Sequence, residues 1–564
     1  MIQFVATGPI VYFLFFLSSV FALQAFRASF RDYQRRGGLP YPPGPRPLPI
    51  IGNLLCIPTK SSWLGYTRLA KKYGDVMSFH VLGRVVVILG STKATKDLLE
   101  KRGGIYSDRP TIPFFEMMDV QWSVLLARYG EPWRLRRKIA ERGFRPGSLA
   151  AYRAIQETRA RVLTNRLLQN PQEWTAHIEL SGASLFLFLL RYLFISIISP
   201  SFQGEQLLAM TYGYEAKGHH DGTIDAAKKL SDLGSRASLP GSMLVNEFPF
   251  LRHIPEWMPW ISYWPLARIG HALAEEVKNV PMQFVREGML NGIARPCIAF
   301  HSLVEAEKLS GFERKGYERA ITETLGTMYT VGTESVVSSI MSLFLAVLLH
   351  PEVQRKAQDE IDAVTERKRF PTFEDRLRLP FVDALCREVL RWRPPAPVHV
   401  PHAAREDHVY EGLFIPKGAW LIGNIWAITR DPDVYPEPEV FNPERFLNPN
   451  GTLRDDVTLG SIFGFGKRLC PGRHFADATL FIVAATVLSV FHIEKRRDSE
   501  GTPFEFTYSG GLVSRPNPFP CSISPRDKRA EELIILTDST VTWDAQGNSN
   551  FPSSSAKGLC LVLS

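Results

Sequence analysis

A mainly α-helical fold with a small β-rich region, preceded by one N-terminal transmembrane helix, is what this 564-residue sequence predicts. Three observations carry that expectation. Residues 1–26 hold no charged side chain, helix-compatible stretches dominate from Pro47 to Pro525 with no low-complexity linker, and short β-branched runs such as Val85 to Leu89 sit near the start of that span.

The N-terminal element comes first. Val11 to Leu23 is almost continuously apolar, and with its flanks it supplies about 20 residues, enough to cross a bilayer as a helix. A cleaved signal peptide competes, with Val20-Phe21-Ala22 as its cleavage site. No Lys or Arg precedes the apolar core, whereas Arg27, Arg31, Arg35 and Arg36 follow it, which favours an uncleaved anchor with the main domain in the cytosol. Residues 27–47 read as a basic, proline-rich hinge, stiffened by Pro42-Pro43-Gly44-Pro45. At the other end, residues 527–564 include the aperiodic polar stretch Asp544 to Lys557 and are expected to be disordered. Cys560 is fifth from the end, one position off a prenylation box.

Six cysteines, at 56, 297, 386, 470, 521 and 560, suit a reducing compartment, and with no CxxC pair among them zinc is disfavoured. The net charge of +9 makes nucleic acid the obvious partner, yet no nucleic-acid motif accompanies it. Arg134, Arg136, Lys138, Lys467 and Arg473 instead suggest a basic face for an acidic protein, the alternative being ordinary solvated charge. Trp257, Trp260 and Trp264 are spaced to suit a membrane interface, or else belong to the core.

The most informative segment is Phe463-Gly-Phe-Gly-Lys-Arg-Leu-Cys-Pro-Gly472, which presents Cys470 on a glycine-rich loop ahead of the apolar stretch Ala476 to Val490. A single thiolate holds a haem iron in this way. Gly466 and Gly472 permit turns closed to residues with a Cβ, letting amide N–H groups approach the sulfur. Phe463 would cover the thiolate side of the ring and Arg468 would meet a propionate. A free buried cysteine beside a turn is the bland alternative.

Glu388 and Arg391 share one helical face within Phe381 to Trp392. The same ExxR spacing occurs at Glu131, Glu366 and Glu494, where a solvated surface pair suffices, but Leu385, Val389, Leu390 and Trp392 take Glu388 into the interior, where charges must be paired. Thr330-Val-Gly-Thr-Glu-Ser335 places a glycine inside a long helical stretch from about Tyr317 to Leu349, at a cost of about 1 kcal/mol that asks for a kink, close packing or a functional reason.

Taken together these residues resemble the cytochrome P450 family of haem-thiolate monooxygenases, with motifs in family order from about Pro42 to Arg526. The resemblance implies one large catalytic domain over residues 48–526 with the P450 fold, overruling the three or four domains that length alone suggests. It implies haem b with Cys470 as axial ligand, and propionate contacts from Trp133 and Arg137 of a WxxxR element, His402 and Arg468. Arg445 of Phe441-Asn-Pro-Glu-Arg-Phe446 would complete a buried network with Glu388 and Arg391. Gly332 would make room for dioxygen while Glu334 and Ser335 relay protons. This sequence departs from pattern there, with Val331 at a small position and Ser335 replacing the usual threonine, so the hydroxyl lacks the β-branch that fixes χ1.

Phe114, Phe115, Met117, Met118, Val398 and Leu512 match the family's pocket positions. The implied activity is insertion of one oxygen atom into an apolar small molecule of fungal secondary metabolism, a terpenoid, polyketide or indole. Its implied setting is the endoplasmic-reticulum membrane, single-pass, with an NADPH-cytochrome reductase as electron donor and cytochrome b5 as a second candidate. A reductase-independent isomerase or dehydratase is the alternative, and a non-enzymatic haem carrier a third class.

Overall fold

The computed structural model describes residues 30–178, 202–215, 221–238, 242–258, 263–496 and 505–540. The expected anchor at 1–26, Trp260 and residues 541–564 lie outside the described residues. Chain order gives α1 (Ser62–Tyr73), β1 (Val76–Val81), β2 (Arg84–Leu89), α2 (Pro113–Met117), α3 (Glu131–Phe144), α4 (Arg153–Gln169), α5 (Phe202–Tyr212), α6 (Gly222–Ala237) and α7 (Tyr263–Leu290). Then come α8 (Ile298–Ala306), α9 (Gly311–Leu349), α10 (Pro351–Thr365), α11 (Pro380–Trp392), β3 (His402–Ala403), β4 (His408–Tyr410), β5 (Leu413–Ile415) and β6 (Trp420–Gly423). The chain closes with α12 (Arg473–Val490), β7 (Phe491–Glu494), β8 (Ser522–Pro525) and α13 (Lys528–Thr540), short helical turns being left unlabelled.

The 39-residue α9 is the axle of the fold, packing against α3, α5, α7, α8, α11 and α12. Its C-terminal half, Val336 to Leu348, is buried throughout, because Ile340-Met-Ser-Leu-Phe-Leu-Ala-Val-Leu-Leu349 offers no charged side chain to any face. It ends at His350, since Pro351 disfavours helical backbone at the preceding residue and opens α10 instead. α11 starts on Pro380 and stops ahead of Arg393-Pro394 for the same reason. Among the described residues α9 and α12 are long and apolar enough to cross a membrane, but both are mostly buried inside the globule and read as core helices.

One four-stranded sheet runs in the order β1-β2-β6-β3. β1 and β2 form an antiparallel hairpin closed at Val81 and Arg84, β6 lies parallel to β2 with Val86 opposite Trp420, and His402 of β3 faces Leu421 of β6. The proline-rich segment lies along this sheet and the separate β4–β5 hairpin rather than swinging free: the Pro43 and Pro40 carbonyls accept from Ser78 N of β1 and Phe414 N of β5, each at 2.8 Å. Arg35 also pairs bidentately with Asp407.

The expectation of disorder from residue 527 needs correction. Residues 528–540 form α13, which packs on α4 and α12 and buries Ala530 and Ile534 in the main core. Asp527 caps it through Ala530 N at 2.9 Å and pairs with Arg367. The apolar side chains of Arg529-Ala-Glu-Glu-Leu-Ile534 recur at helical spacing, and that local signal is obscured in the sequence by the polar stretch beyond it.

Candidate active site

Cys470 sits on the loop between a short helical turn at Gly466–Arg468 and α12. Its N–H donates to the Phe463 carbonyl at 2.8 Å, closing the loop, while the Gly472 N–H faces its sulfur. Burial pushes the thiol pKa up, and Gly472, Arg137 and Arg473 pull the other way. The turn demands glycine at Gly464 (φ +96°) and Gly466 (φ +53°). A Cβ at Gly466 would stand 2.6 Å from the Leu99 carbonyl oxygen. Gly472 does not belong with them: its φ of −84° suits any residue, and a Cβ there would stand 4.0 Å from both the Cys470 sulfur and the Phe144 ring.

Beside this loop two guanidinium groups are buried. Arg468 donates to the carbonyls of Ser107, Val124 and Ala127 at 2.8–3.1 Å, and lies over the Trp133 ring at 4.3 Å. Arg109, which no motif singled out, donates to Leu125, Val400 and Pro401 carbonyls at 2.7–2.9 Å. Neither makes an ion pair among the described residues. Burial pulls both pKa values down, Arg468 to about 10, and Arg468 lowers Arg109 further. Each guanidinium has five N–H donors, so three carbonyls leave two unspent. Arg137 is nearly buried and pairs with Glu141 at 2.7 Å, and Trp133 Nε1 donates to Val124 O at 3.1 Å.

His402 is buried in β3. Its Nδ1 meets the Tyr106 carbonyl at 2.7 Å, so that nitrogen carries the proton and Nε2 is an acceptor in the neutral ring. Burial and Arg109 push its pKa well down. That bond holds the ring in place and ties β3 to the segment of Tyr106.

The Glu388 network comes together as one unit. Arg391 donates Nε to Glu388 Oε2 at 2.6 Å and Nη2 to Oε1 at 2.8 Å, with both side chains fully buried. Arg445 Nε reaches Oε1 at 3.3 Å, and Asn442 N donates there at 2.8 Å. The carbonyls of Thr429 and Pro438 take Arg391's remaining nitrogen. By contrast, the Glu131 and Arg134 pair at the same spacing is exposed.

In the α9 groove the helix runs without a break past Gly332. A Cβ there would come 3.0 Å from Leu207 Cδ1 of α5, so the two helices pack closely at this glycine. Val331 is 40% exposed in an otherwise shielded stretch. Thr330 and Thr333 return their hydroxyls to the carbonyls four residues back, at 2.8 and 2.9 Å. Glu334 lines a mainly apolar cavity with Ile224, Ala227, Val337, Lys228 and Arg515.

Comparison with known proteins decides the family. The sequence model of the cytochrome P450 family matches residues 42–522. This chain belongs to the cytochrome P450 family. It is similar to the cytochrome P450 monooxygenase claR of Ampulloclitocybe clavipes, 35% identical with 89% of each chain covered. It is also similar to monooxygenase COX1 of Coprinopsis cinerea, 34% identical over 88% of this chain and 93% of the relative, and to monooxygenase 208 of Postia placenta, 36% identical over 89% and 93%. It is therefore an oxidoreductase of the monooxygenase class, whose family binds haem through a cysteine thiolate and works with a redox partner on a small molecule. The residues present fit such a group: Cys470 offers the thiolate, and the unspent N–H donors of Arg109 and Arg468 match two carboxylates.

The remaining P450 positions divide. Phe114, Phe115 and Met118 are buried in the second core cluster, Val398 packs against the sheet cluster, and Leu512 lies in a bend beside Arg515. Of the basic residues, Lys138 and Arg134 are exposed and Lys467 donates to the Tyr129 hydroxyl at 2.8 Å. Arg136 is corrected, being largely buried and paired with Glu323 at 2.6 Å, so it serves the α3–α9 contact. Arg473 is half-buried and bonds the Cys470 carbonyl at 3.2 Å. Trp257 is 78% exposed, whereas Trp264 turns inward to the Ile254 carbonyl at 3.2 Å.

Proposed function

We propose that this P450 holds haem b on the Cys470 thiolate and inserts one atom of dioxygen into an apolar small molecule of fungal secondary metabolism. The observation that carries the reading is the Cys470 sulfur seated against the Gly472 N–H, beside two buried arginines that lack an acidic partner among the described residues. Bound haem supplies the iron at which dioxygen is activated, with thiolate donation favouring O–O cleavage. The chain's part is to hold and to deliver. Gly472 N–H steadies charge on the sulfur, Arg109 and Arg468 take the two propionates with Arg137 adding positive potential, Trp133 fixes the Arg468 plane, and Phe463 covers the thiolate side.

On α9, Ser335 would be the hydroxyl proton donor, with Glu334 passing protons to it from the cavity it shares with Lys228 and Arg515. The buried Glu388, Arg391 and Arg445 network keeps the cysteine loop's support rigid. Lys138, Arg134 and Lys467 form the docking face for an NADPH-dependent flavin reductase, with cytochrome b5 as a second donor. Endoplasmic-reticulum attachment through residues 1–26 is supported by the exposed apolar tips Leu244, Phe250 and Trp257, which suit a lipid surface.

The test is NADPH consumption and untargeted product profiling of a host that expresses the full chain with a flavin reductase. New oxygenated products matched to NADPH use are expected. Products formed without NADPH would replace this reading with an isomerase or dehydratase.

A further inference from the structure

We infer that Asp119, His271 and Glu275 form a site for a divalent transition-metal cation of the zinc type, which staples the segment after α2 to α7. His271 and Glu275 stand one helical turn apart, on the same face of α7, and Asp119 approaches from the segment that follows α2. One ligand atom from each of the three lies within 4.8 Å of the other two, so side-chain rotations that close the group by about 1 Å bring all three to one ion about 2 Å from each. The donor set is one imidazole and two carboxylates. Imidazole disfavours magnesium and calcium and selects zinc, nickel or cobalt, and three protein ligands leave a position for water.

The approach of the two segments is fixed before any ion arrives. Met118, next to Asp119, lies so deep against α7 that a Cβ on Gly270 would stand 2.5 Å from its terminal methyl carbon. A larger residue at that position would force the methionine to shift. On the other side of the segment, Glu116 pairs with Arg252 at 2.9 Å. The Asp119 carboxylate is thus delivered beside His271 by packing, which lowers the ordering cost that a metal would otherwise meet.

Two cations share the neighbourhood, and each has another partner. Lys278 pairs with Glu275 and also lies over the Trp122 ring at 5.1 Å, so it keeps a contact if the metal takes Glu275. Arg319 pairs with Glu323 at 2.8 Å. The site is exposed, so the variants that test it leave the core alone. Because Phe114, Phe115 and Met118 belong to the tethered segment, an ion here would restrain that segment.

The experiment is calorimetric titration of the chelator-washed, haem-loaded full chain with zinc chloride, alongside His271→Ala, Asp119→Asn and a Cys56→Ser control that removes an exposed thiol. One zinc per chain is expected at micromolar or tighter affinity. Each ligand variant should weaken it by at least about tenfold, since loss of even an outer-shell partner costs about 10- to 100-fold, and the Cys56 control should match the parent. Amide exchange in residues 113–120 should slow with zinc in the parent and not in His271→Ala. Absence of binding at about 100 micromolar zinc, or equal binding by the parent and both ligand variants, overturns the proposal, as does binding without slowed exchange.

Discussion

Replacing Glu388 by glutamine tests the part of the fold where a single charge matters most. The substitution keeps the shape and removes the carboxylate charge that faces Arg391, itself fully buried, and Arg445. Neither arginine has another carboxylate within ion-pair reach among the described residues, and carbonyl acceptors satisfy N–H groups without neutralising charge. Stranding a buried charge costs about 3–5 kcal/mol. Glu131→Gln breaks an ExxR pair of the same spacing at the surface and should cost no more than about 1 kcal/mol. With an m-value of about 3 kcal/mol/M, the Glu388 variant should lose more than about 1 M in its urea midpoint, followed by tryptophan fluorescence. Arg445→Lys offers a milder step, and a Glu388→Gln, Arg391→Leu double variant should recover part of the loss because the fully buried charge of Arg391 is gone and only Arg445 is left without a carboxylate. A Glu388→Gln midpoint no lower than that of Glu131→Gln would refute the argument from burial.

Cys470→His should retain some haem and lose the thiolate signature of the ferrous carbon-monoxide spectrum, and an unchanged spectrum would exclude Cys470 as the ligand. Ser335→Ala should divert electrons to peroxide at constant haem content, with Ser335→Thr moving the opposite way, as read by product formed per NADPH. His399, held down to about 4 by burial, is neutral in the fold, so its contribution is intact above about pH 6.5 and is lost as pH falls from there towards 4. His399→Asn should flatten that part of the stability profile, and an identical slope in both proteins would remove His399 from the account. Ile534→Ala, in the helix beyond the family match, should destabilise by about 2–5 kcal/mol in the same urea assay, whereas a neutral result would mean that α13 is not integral to the core.

What the sequence determined by itself was chemistry that is local in the chain. The Cys470 loop was legible because its turn needs particular residues at fixed offsets, and the helices α9, α11 and α12 because their apolar runs and proline boundaries act over a few residues. Glu388 could be singled out from three look-alike ExxR pairs for the same reason, its apolar neighbours being adjacent in sequence. Contacts between distant segments were decided only by the tertiary structure. Arg109 carries no motif, and its place beside Arg468 arises because segments near residues 108, 125 and 400 converge on the cysteine loop. Gly332 meets Leu207, more than a hundred residues away, in its Cβ direction, and the His402 ring is held by the Tyr106 carbonyl. Hydrophobic periodicity and turn chemistry are written along the chain, whereas burial, which sets the charge state and the partners of a polar group, exists only once the chain has closed on itself.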